Sequence, residues 1–264
     1  MTLPSTPTPP TLIKHSWPAA LPDDANHVRK YDLVIADPPY NQGVIYDSDP
    51  YSDRMTDHQY VQWTRDTIMM LSRYVAADGI FAYIVPPRFG HLVWSALLAN
   101  NMWLYNSCPV VMHETFSQYQ ESQMTVDYRL IFLAYNRFGN GDRRINDNLP
   151  REQSKRQEVG DKRANPDGRV PGMVWNVRRL QGTSVDRVPW HPCQLAPELY
   201  ARLTSLVGDG VGGGVAIMDA FSGSGTLATA APNSKLNPRL VLVDQSAKYL
   251  KETSERWARA NSPS

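Results

Sequence analysis

The stretch Tyr31-Asp-Leu-Val-Ile-Ala36, followed at once by Asp37-Pro38-Pro39-Tyr40, decides how this chain is read. The first six residues are short, apolar and β-branched, and turn-forming residues follow, which predicts a buried strand. The next four predict an unusual strand end. The two prolines lack N–H groups and hold φ, so the backbone there presents carbonyl acceptors. An ionised aspartate accepts only, and a tyrosine ring offers a flat face. Acceptors beside a stacking face suit a planar base that carries an exocyclic amino group.

Working outward, the flanking chain alternates. Apolar residues at helical spacing over 58–75 predict a helix with Asp57 as its N-cap, closed by Asp78-Gly79. Ile80–Val85 reads as a second strand, again halted by two prolines, and Phe89–Asn101 as a second helix. Trp103–Met112 and Tyr128–Tyr135 read as two further strands. Past residue 187, Gln194–Val207 carries leucines on one helical face with Pro197 in its first turn. Val215–Met218 and Arg239–Val243 read as strands, with a short helix after Thr226 and a closing helix over Ser246–Ala260. Strands alternating with helices predict an α/β fold: a doubly wound, mostly parallel sheet with helices on both faces.

The 264 residues suffice for one large domain or a domain with an insert. The net charge of +1 hides an asymmetry, because residues 137–187 hold 12 Arg and Lys against 7 acids. That polar, aperiodic, basic segment predicts an inserted region that meets a polyanion. Two cysteines, Cys108 and Cys193, are too few for a disulfide framework or a cysteine metal site, which favours a reducing compartment. No apolar run approaches the length of a membrane span, and the Pro/Thr-rich start lacks the apolar core of a signal peptide. A cytosolic protein without metal or membrane partner is the expectation. Four parts follow: a flexible arm and connector over 1–28, one half of the main domain over 29–136, the basic insert over 137–187, and the other half over 188–264.

A second strand end carries chemistry. Asp219-Ala-Phe221-Ser222-Gly223-Ser224-Gly225-Thr226 is a glycine-rich loop between a strand and a helix, where backbone approaches a ligand closely. Asp244 closes the next strand about 20 residues on, where dinucleotide-type folds place a ribose-binding acid. No Gly-Lys-Ser/Thr follows, so the loop is not a Walker P-loop. An adenosyl-bearing ligand fits these two features; a tight turn beside a surface aspartate is the bland alternative.

Together, the Asp-Pro-Pro-Tyr tetrapeptide and the Phe-Ser-Gly-Ser-Gly-Thr loop resemble the S-adenosylmethionine-dependent DNA amino-methyltransferases. The order of tetrapeptide, recognition region and cofactor loop resembles their β-class. His191-Pro-Cys-Gln194 resembles the family's His-Pro-x-Gln segment, and Val174–Arg179 the Trp-containing stretch before it. The likeness covers roughly residues 31–260. It implies a Rossmann-like methyltransferase sheet with an inserted target-recognition region. Asp37, Pro38, Pro39 and Tyr40 become the catalytic set. Asp219, Phe221, Ser222, Gly223, Ser224, Gly225, Thr226, Asp244, His191 and Gln194 become the binding set for S-adenosyl-L-methionine. Arg143, Arg144, Lys155, Arg156, Lys162, Arg163, Arg178 and Arg179 are the expected contacts to double-stranded DNA. The resemblance also allows a homodimer, and places the protein in the cytoplasm of a bacterial or phage-infected cell, in a restriction-modification or similar setting. Three departures stand out: Asp127-Tyr128-Arg129 replaces a His-Glu-like pair, Thr11–Trp17 carries no acid, and Pro232 interrupts the helix after the loop.

The implied reaction is transfer of a methyl group to adenine N6, since aspartate at the first tetrapeptide position is commoner among adenine enzymes; cytosine N4 is the alternative. An exocyclic amino nitrogen is a weak nucleophile because its lone pair is delocalised. Acceptors on its two hydrogens, from Asp37 and the Pro38 carbonyl, would localise that pair, with Tyr40 stacked on the base. A base inside a duplex must first be flipped out. A rival reading is a non-catalytic nucleic-acid-binding paralogue, against which the intact motifs count. RNA or protein-glutamine methylation is a third. The Pro-Cys-Gln triplet at 192–194 also occurs in cytosine carbon-5 methyltransferases, but the preceding His191 and its position after the insert argue against that chemistry.

Overall fold

The computed structural model describes residues 7–21, 30–47, 53–114, 124–139, 149–208, 214–230 and 237–262. Among the described residues, nine strands form one sheet: β1 (Thr11–Lys14), β2 (Tyr31–Ala36), β3 (Val75–Val85), β4 (Met102–Leu104), β5 (Val110–Glu114), β6 (Tyr128–Asn136), β7 (Val174–Val177), β8 (Ala216–Asp219) and β9 (Arg239–Asp244). The α-helices among the described residues are α1 (Asp57–Ser72), α2 (Gly90–Ala99), α3 (Lys155–Glu158), α4 (Pro197–Ser205), α5 (Thr226–Ala230) and α6 (Ala247–Asn261). The order is β1-β9-β8-β2-β3-β6-β5-β7, with β4 also paired to β6. Every neighbour from β1 to β3 is parallel, while β6 runs antiparallel to β3, β4 and β5. The expected α/β, mostly parallel sheet is therefore present, with an antiparallel flank.

β2 lies at the centre because it is buried on both faces. Leu33 and Ile35 join one apolar layer with Leu199 and Leu203 of α4 and Leu227 of α5. Val34 and Ala36 join the other with Ile68 and Leu71 of α1 and Val93 and Leu97 of α2. Alternate side chains of one strand thus feed two cores, which is why its sequence reads as a continuous apolar run rather than an alternation.

Several boundaries differ from expectation for local reasons. Thr56, not Asp57, caps α1: its hydroxyl accepts from the Gln59 N–H at 3.3 Å while the Gln59 side chain returns a bond to the Thr56 N–H. This is a capping box. Asp78-Gly79 does not end that helix but sits inside β3, within an irregularity between the Tyr31–Val75 and Leu33–Ile80 pairs. A side chain at Gly79 would lie 2.7 Å from the Tyr31 carbonyl oxygen, so the bulge requires glycine. The strand expected over Trp103–Met112 is two pieces, β4 and β5, broken by a 3-10 turn at Tyr105–Ser107. Asn106 and Ser107 there have φ of 57° and 55°, which no strand tolerates.

The described part of the 1–28 arm is not free. β1 extends the sheet beside β9, and the Trp17 indole N–H donates to the Ala220 carbonyl at 2.7 Å from a buried position. The 137–187 segment likewise enters the sheet through β7, whose Trp175 and Val177 belong to the core. Glu152 ties the segment to α4 through Arg202 at 3.1 Å and closes on Arg169 at 2.9 Å.

Candidate active site

In β2 and β8 the sheet sets two strand ends side by side: Ile35 pairs with Asp219, and the Ala220 N–H donates to the Ile35 carbonyl at 2.8 Å. Asp37 and the glycine-rich loop thus leave neighbouring parallel strands at one carboxyl edge, where open α/β sheets form their ligand crevice. The Asp37 charge adds to the burial that pushes the Asp219 carboxyl up to about 7, an effect only partly offset by the Phe221 N–H donating to Asp219.

The tetrapeptide is held at each residue. Pro38 is buried. The Tyr60 hydroxyl donates to the Pro39 carbonyl at 3.1 Å. The Tyr40 hydroxyl donates to Asp37 Oδ1. That same hydroxyl accepts from Arg129 Nη1 at 3.2 Å, and the guanidinium lies 5.3 Å from the ring centroid. Burial raises the Tyr40 phenol well above its ordinary range despite Arg129, so it stays protonated and can keep donating. Arg88 Nη2 donates to the carbonyls of Tyr40 and Asn41 at 3.1 and 3.0 Å, and Asp53 accepts from the N–H groups of Asn41 and Gln42. Fixed carbonyls and a fixed carboxylate are what a site that grips an amino group needs.

Arg88, Asp53 and Arg129 were not identified as site residues from sequence. Arg88 could have been, because Pro86-Pro87-Arg88 ends the strand next to β2. Arg129 was marked only as part of the Asp127-Tyr128-Arg129 departure, with no role attached, and nothing local marks Asp53.

In the loop, Gly223 and Gly225 adopt φ of +44° and +68°, and Gly225 N–H donates to the Ser222 carbonyl at 2.7 Å. His191 lies directly on Gly223: a Cβ there would sit 2.6 Å from His191 Nε2. The imidazole is wedged beside Tyr46 and Tyr249, with ring centroids 5.8 and 5.0 Å away, and burial, aided by Arg187, pushes its pKa down to about 4. Gln194 accepts from the Val188 N–H at 2.8 Å and donates to the Asp186 carbonyl at 2.7 Å and to Thr226 Oγ1 at 3.2 Å. His191 and Gln194 therefore both brace the loop. Asp244 accepts from the N–H groups of Gly223 and Ser246, each at 2.8 Å. Ser224 Oγ meets Thr226 Oγ1 at 2.9 Å, and the Phe221 ring lies 6.0 Å from Trp63.

Two buried polar atoms around this loop, Ser222 Oγ and His191 Nδ1, have no hydrogen-bond partner among the described residues, and the buried Asp219 carboxyl has the Tyr200 hydroxyl beside it. Buried polar groups left in that state point to a ligand that completes them. An acid, a hydroxyl and a ring nitrogen beside close-approach glycines fit a cofactor rich in amino and hydroxyl groups.

The segment after the tetrapeptide turns over its described part toward the start of α6. The Asp47 N–H donates to the Tyr249 hydroxyl at 2.8 Å, and the Asp47 carboxylate meets Ser246 and Lys248.

The expected DNA contacts divide. Arg143 and Arg144 lie outside the described residues. Lys155 and Arg156 are exposed on α3, and Lys162 is exposed beyond it. Arg163 is exposed but engaged by Asp161 at 2.8 Å. Arg178 and Arg179 line a cleft of about 400 Å³ with Arg129 and Arg187.

Comparison with known proteins agrees with this geometry. The family model N6_N4_Mtase, described as DNA methylase, matches residues 31–255. Three solved structures share the fold. M1.HpyAVI superposes with a TM-score of 0.55 at 14% identity, over 86% of this chain and 88% of its own. TTHA0409, a putative DNA modification methylase from Thermus thermophilus, gives 0.56 at 16%, over 89% of each chain. The cytosine-N4-specific PvuII DNA methyltransferase gives 0.57 at 10%, over 88% of this chain and 85% of its own. M1.HpyAVI and TTHA0409 have also been solved with S-adenosylmethionine. With the family match spanning the tetrapeptide, the insert and the glycine-rich loop in one run, the chain belongs to the N6/N4 family of DNA methylases.

Proposed function

We propose that this DNA methyltransferase uses S-adenosyl-L-methionine to methylate the N6 amino group of an adenine swung out of double-stranded DNA. The observation that carries the reading is the placement of Asp37 and the Asp219–Thr226 loop at adjacent carboxyl ends of β2 and β8. S-adenosylmethionine, bound along the loop, supplies a methyl group on a sulfonium. The glycines admit it, Ser222 and His191 offer their open polar atoms beside the Asp219 carboxyl, and Asp244 stands at the ribose end.

Asp37 and the Pro38 carbonyl accept the two amino hydrogens and so turn the nitrogen lone pair toward the methyl carbon. With the cofactor bound, the N–C bond would form as the C–S bond breaks, the bonding pair would stay on sulfur, and the surplus amino proton would pass to solvent water. Arg88 and Tyr60 hold the carbonyls of the tetrapeptide, and Tyr40 supplies the stacking face. The rate comes from positioning and fixed dipoles. Residues 137–187 supply target recognition, with phosphate contacts setting register and a few side chains reading base edges.

The test is chromatography of digested DNA after incubation with the protein and labelled cofactor. N6-methyladenine is the expected product. N4-methylcytosine without N6-methyladenine would overturn the choice of base, and no label in DNA would overturn the activity.

A further inference from the structure

Residues 41–47 leave the tetrapeptide as a loop fixed at both ends. At its start the buried Asp53 carboxylate accepts from the N–H groups of Asn41 and Gln42. The Gly43 N–H donates to the Asp53 carbonyl at 2.7 Å. The Asn41 side chain accepts from the Met55 N–H at 2.6 Å and donates to the Met55 carbonyl at 3.0 Å. At its end the Asp47 N–H donates to the Tyr249 hydroxyl at 2.8 Å, and the Asp47 carboxylate meets Lys248 at 3.3 Å. Between these anchors Tyr46 turns inward. Its ring lies 5.8 Å from His191, its hydroxyl meets the Cys193 thiol, and the Asp37 charge reaches it. Its neighbour Ile45 turns the other way and is 66% exposed.

Single apolar residues on a surface are ordinary. This one is held on a clamped loop, next to a residue that faces both the tetrapeptide and the glycine-rich loop. A base that leaves the duplex for that pocket gives up its pairing and its stacking on both neighbours. An apolar side chain pushed into the vacated place recovers part of that contact, as apolar wedges between base steps do. Isoleucine suits the task, because β-branching leaves it little rotamer freedom to lose and the loop backbone is already ordered. We propose that Ile45 enters the DNA stack where the target base has left and so holds that base outside the helix. The inference rests on the DNA-methyltransferase reading and assigns it a residue outside both the tetrapeptide and the cofactor loop.

The experiment first maps the methylated sequence in DNA modified by the wild type. A duplex of that sequence then carries a fluorescent analogue at the target position, 2-aminopurine for adenine, whose emission rises when the base unstacks. Wild type, Ile45→Ala, the bulk-keeping Ile45→Leu and a distant control, Leu98→Ala, are compared; Leu98 is exposed near the end of α2. Single-turnover methylation is measured on the natural duplex and on one with an abasic site opposite the target, where no pair has to be broken. Ile45→Ala is expected to lose most of the fluorescence rise and to methylate the paired duplex several-fold more slowly. On the abasic duplex it should recover toward the wild-type rate, with S-adenosylmethionine affinity unchanged by calorimetry. Ile45→Leu and Leu98→Ala should match the wild type throughout. The wedge is overturned if Ile45→Ala equals the wild type in fluorescence and rate on the paired duplex. It is equally overturned if the rate falls by the same factor on both duplexes, since a merely displaced loop is indifferent to pairing. No methyl transfer by the wild type would instead refute the activity itself, and the inference with it, before any variant is compared.

Discussion

Gly223→Ala tests the loop most sharply, because two independent costs can be read from the structure. The first is conformational: φ is +44° at Gly223, and an L-residue in the left-handed region costs about 1–2 kcal/mol. The second is steric. The new Cβ would lie 2.6 Å from His191 Nε2, 3.1 Å from Cε1 and 3.3 Å from Cδ2, so the whole ring edge must retreat. His191 is buried between Tyr46 and Tyr249 and has nowhere to go. Overpacking of that kind costs about 1–3 kcal/mol. The sum is about 2–5 kcal/mol. It is expected to divide between lower stability and a displaced loop with weaker cofactor binding.

A double-mutant cycle separates the two costs. His191→Ala removes the obstacle, so Gly223→Ala in that background should cost only the conformational part, about 1–2 kcal/mol. Urea unfolding gives the stability side, and calorimetric titration of S-adenosylmethionine gives the binding side. If Gly223→Ala costs under about 0.5 kcal/mol by both measures, or if the two substitutions are additive, the packing described here is wrong.

Further outcomes follow from other parts of the site. Asp37→Ala should abolish methyl transfer while S-adenosylmethionine still binds by calorimetry; loss of both together would place Asp37 in the cofactor site instead. Asp219, with its carboxyl raised to about 7, should make cofactor affinity pH-dependent. The cationic ligand favours the ionised form, so affinity should fall about tenfold per unit as pH drops below 7 and level off above it, and Asp219→Asn should flatten that profile. In the ligand-free protein the sign is opposite. The folded pKa exceeds the unfolded value, so this group's stability contribution is present at low pH and lost as pH rises from about 4 to about 7. Urea midpoints of wild type and Asp219→Asn across that window measure it. Trp175→Ala should cost about 3–5 kcal/mol in urea unfolding, since the indole is 2% exposed in the core. An exchange of target-recognition segments that spares Val174–Val177 should therefore fold, whereas one that replaces them should not, as soluble yield and circular dichroism would show.

The chain determined by itself the objects that depend on local pattern. The apolar run 31–36 with its proline stop, the glycine-rich loop at 221–226 and the order of the two along the chain are readable because backbone chemistry and periodicity are properties of consecutive residues. They were enough to predict the sheet class and the motif positions. They did not reveal that residues 102–112 form two strands, since a turn made by Asn106 and Ser107 carries no glycine signal. They did not reveal that Trp175, inside a basic segment, completes the core at a sheet edge.

Only the tertiary structure joined the site. Asp37 and Asp219 are 182 positions apart in the sequence and become neighbours because β2 and β8 pair in parallel. Arg129 reaches Tyr40 from β6, and His191 settles on Gly223 from a loop before α4. Such contacts are fixed by strand order and by which face each side chain takes, quantities that belong to the packed sheet and to no single stretch of the chain.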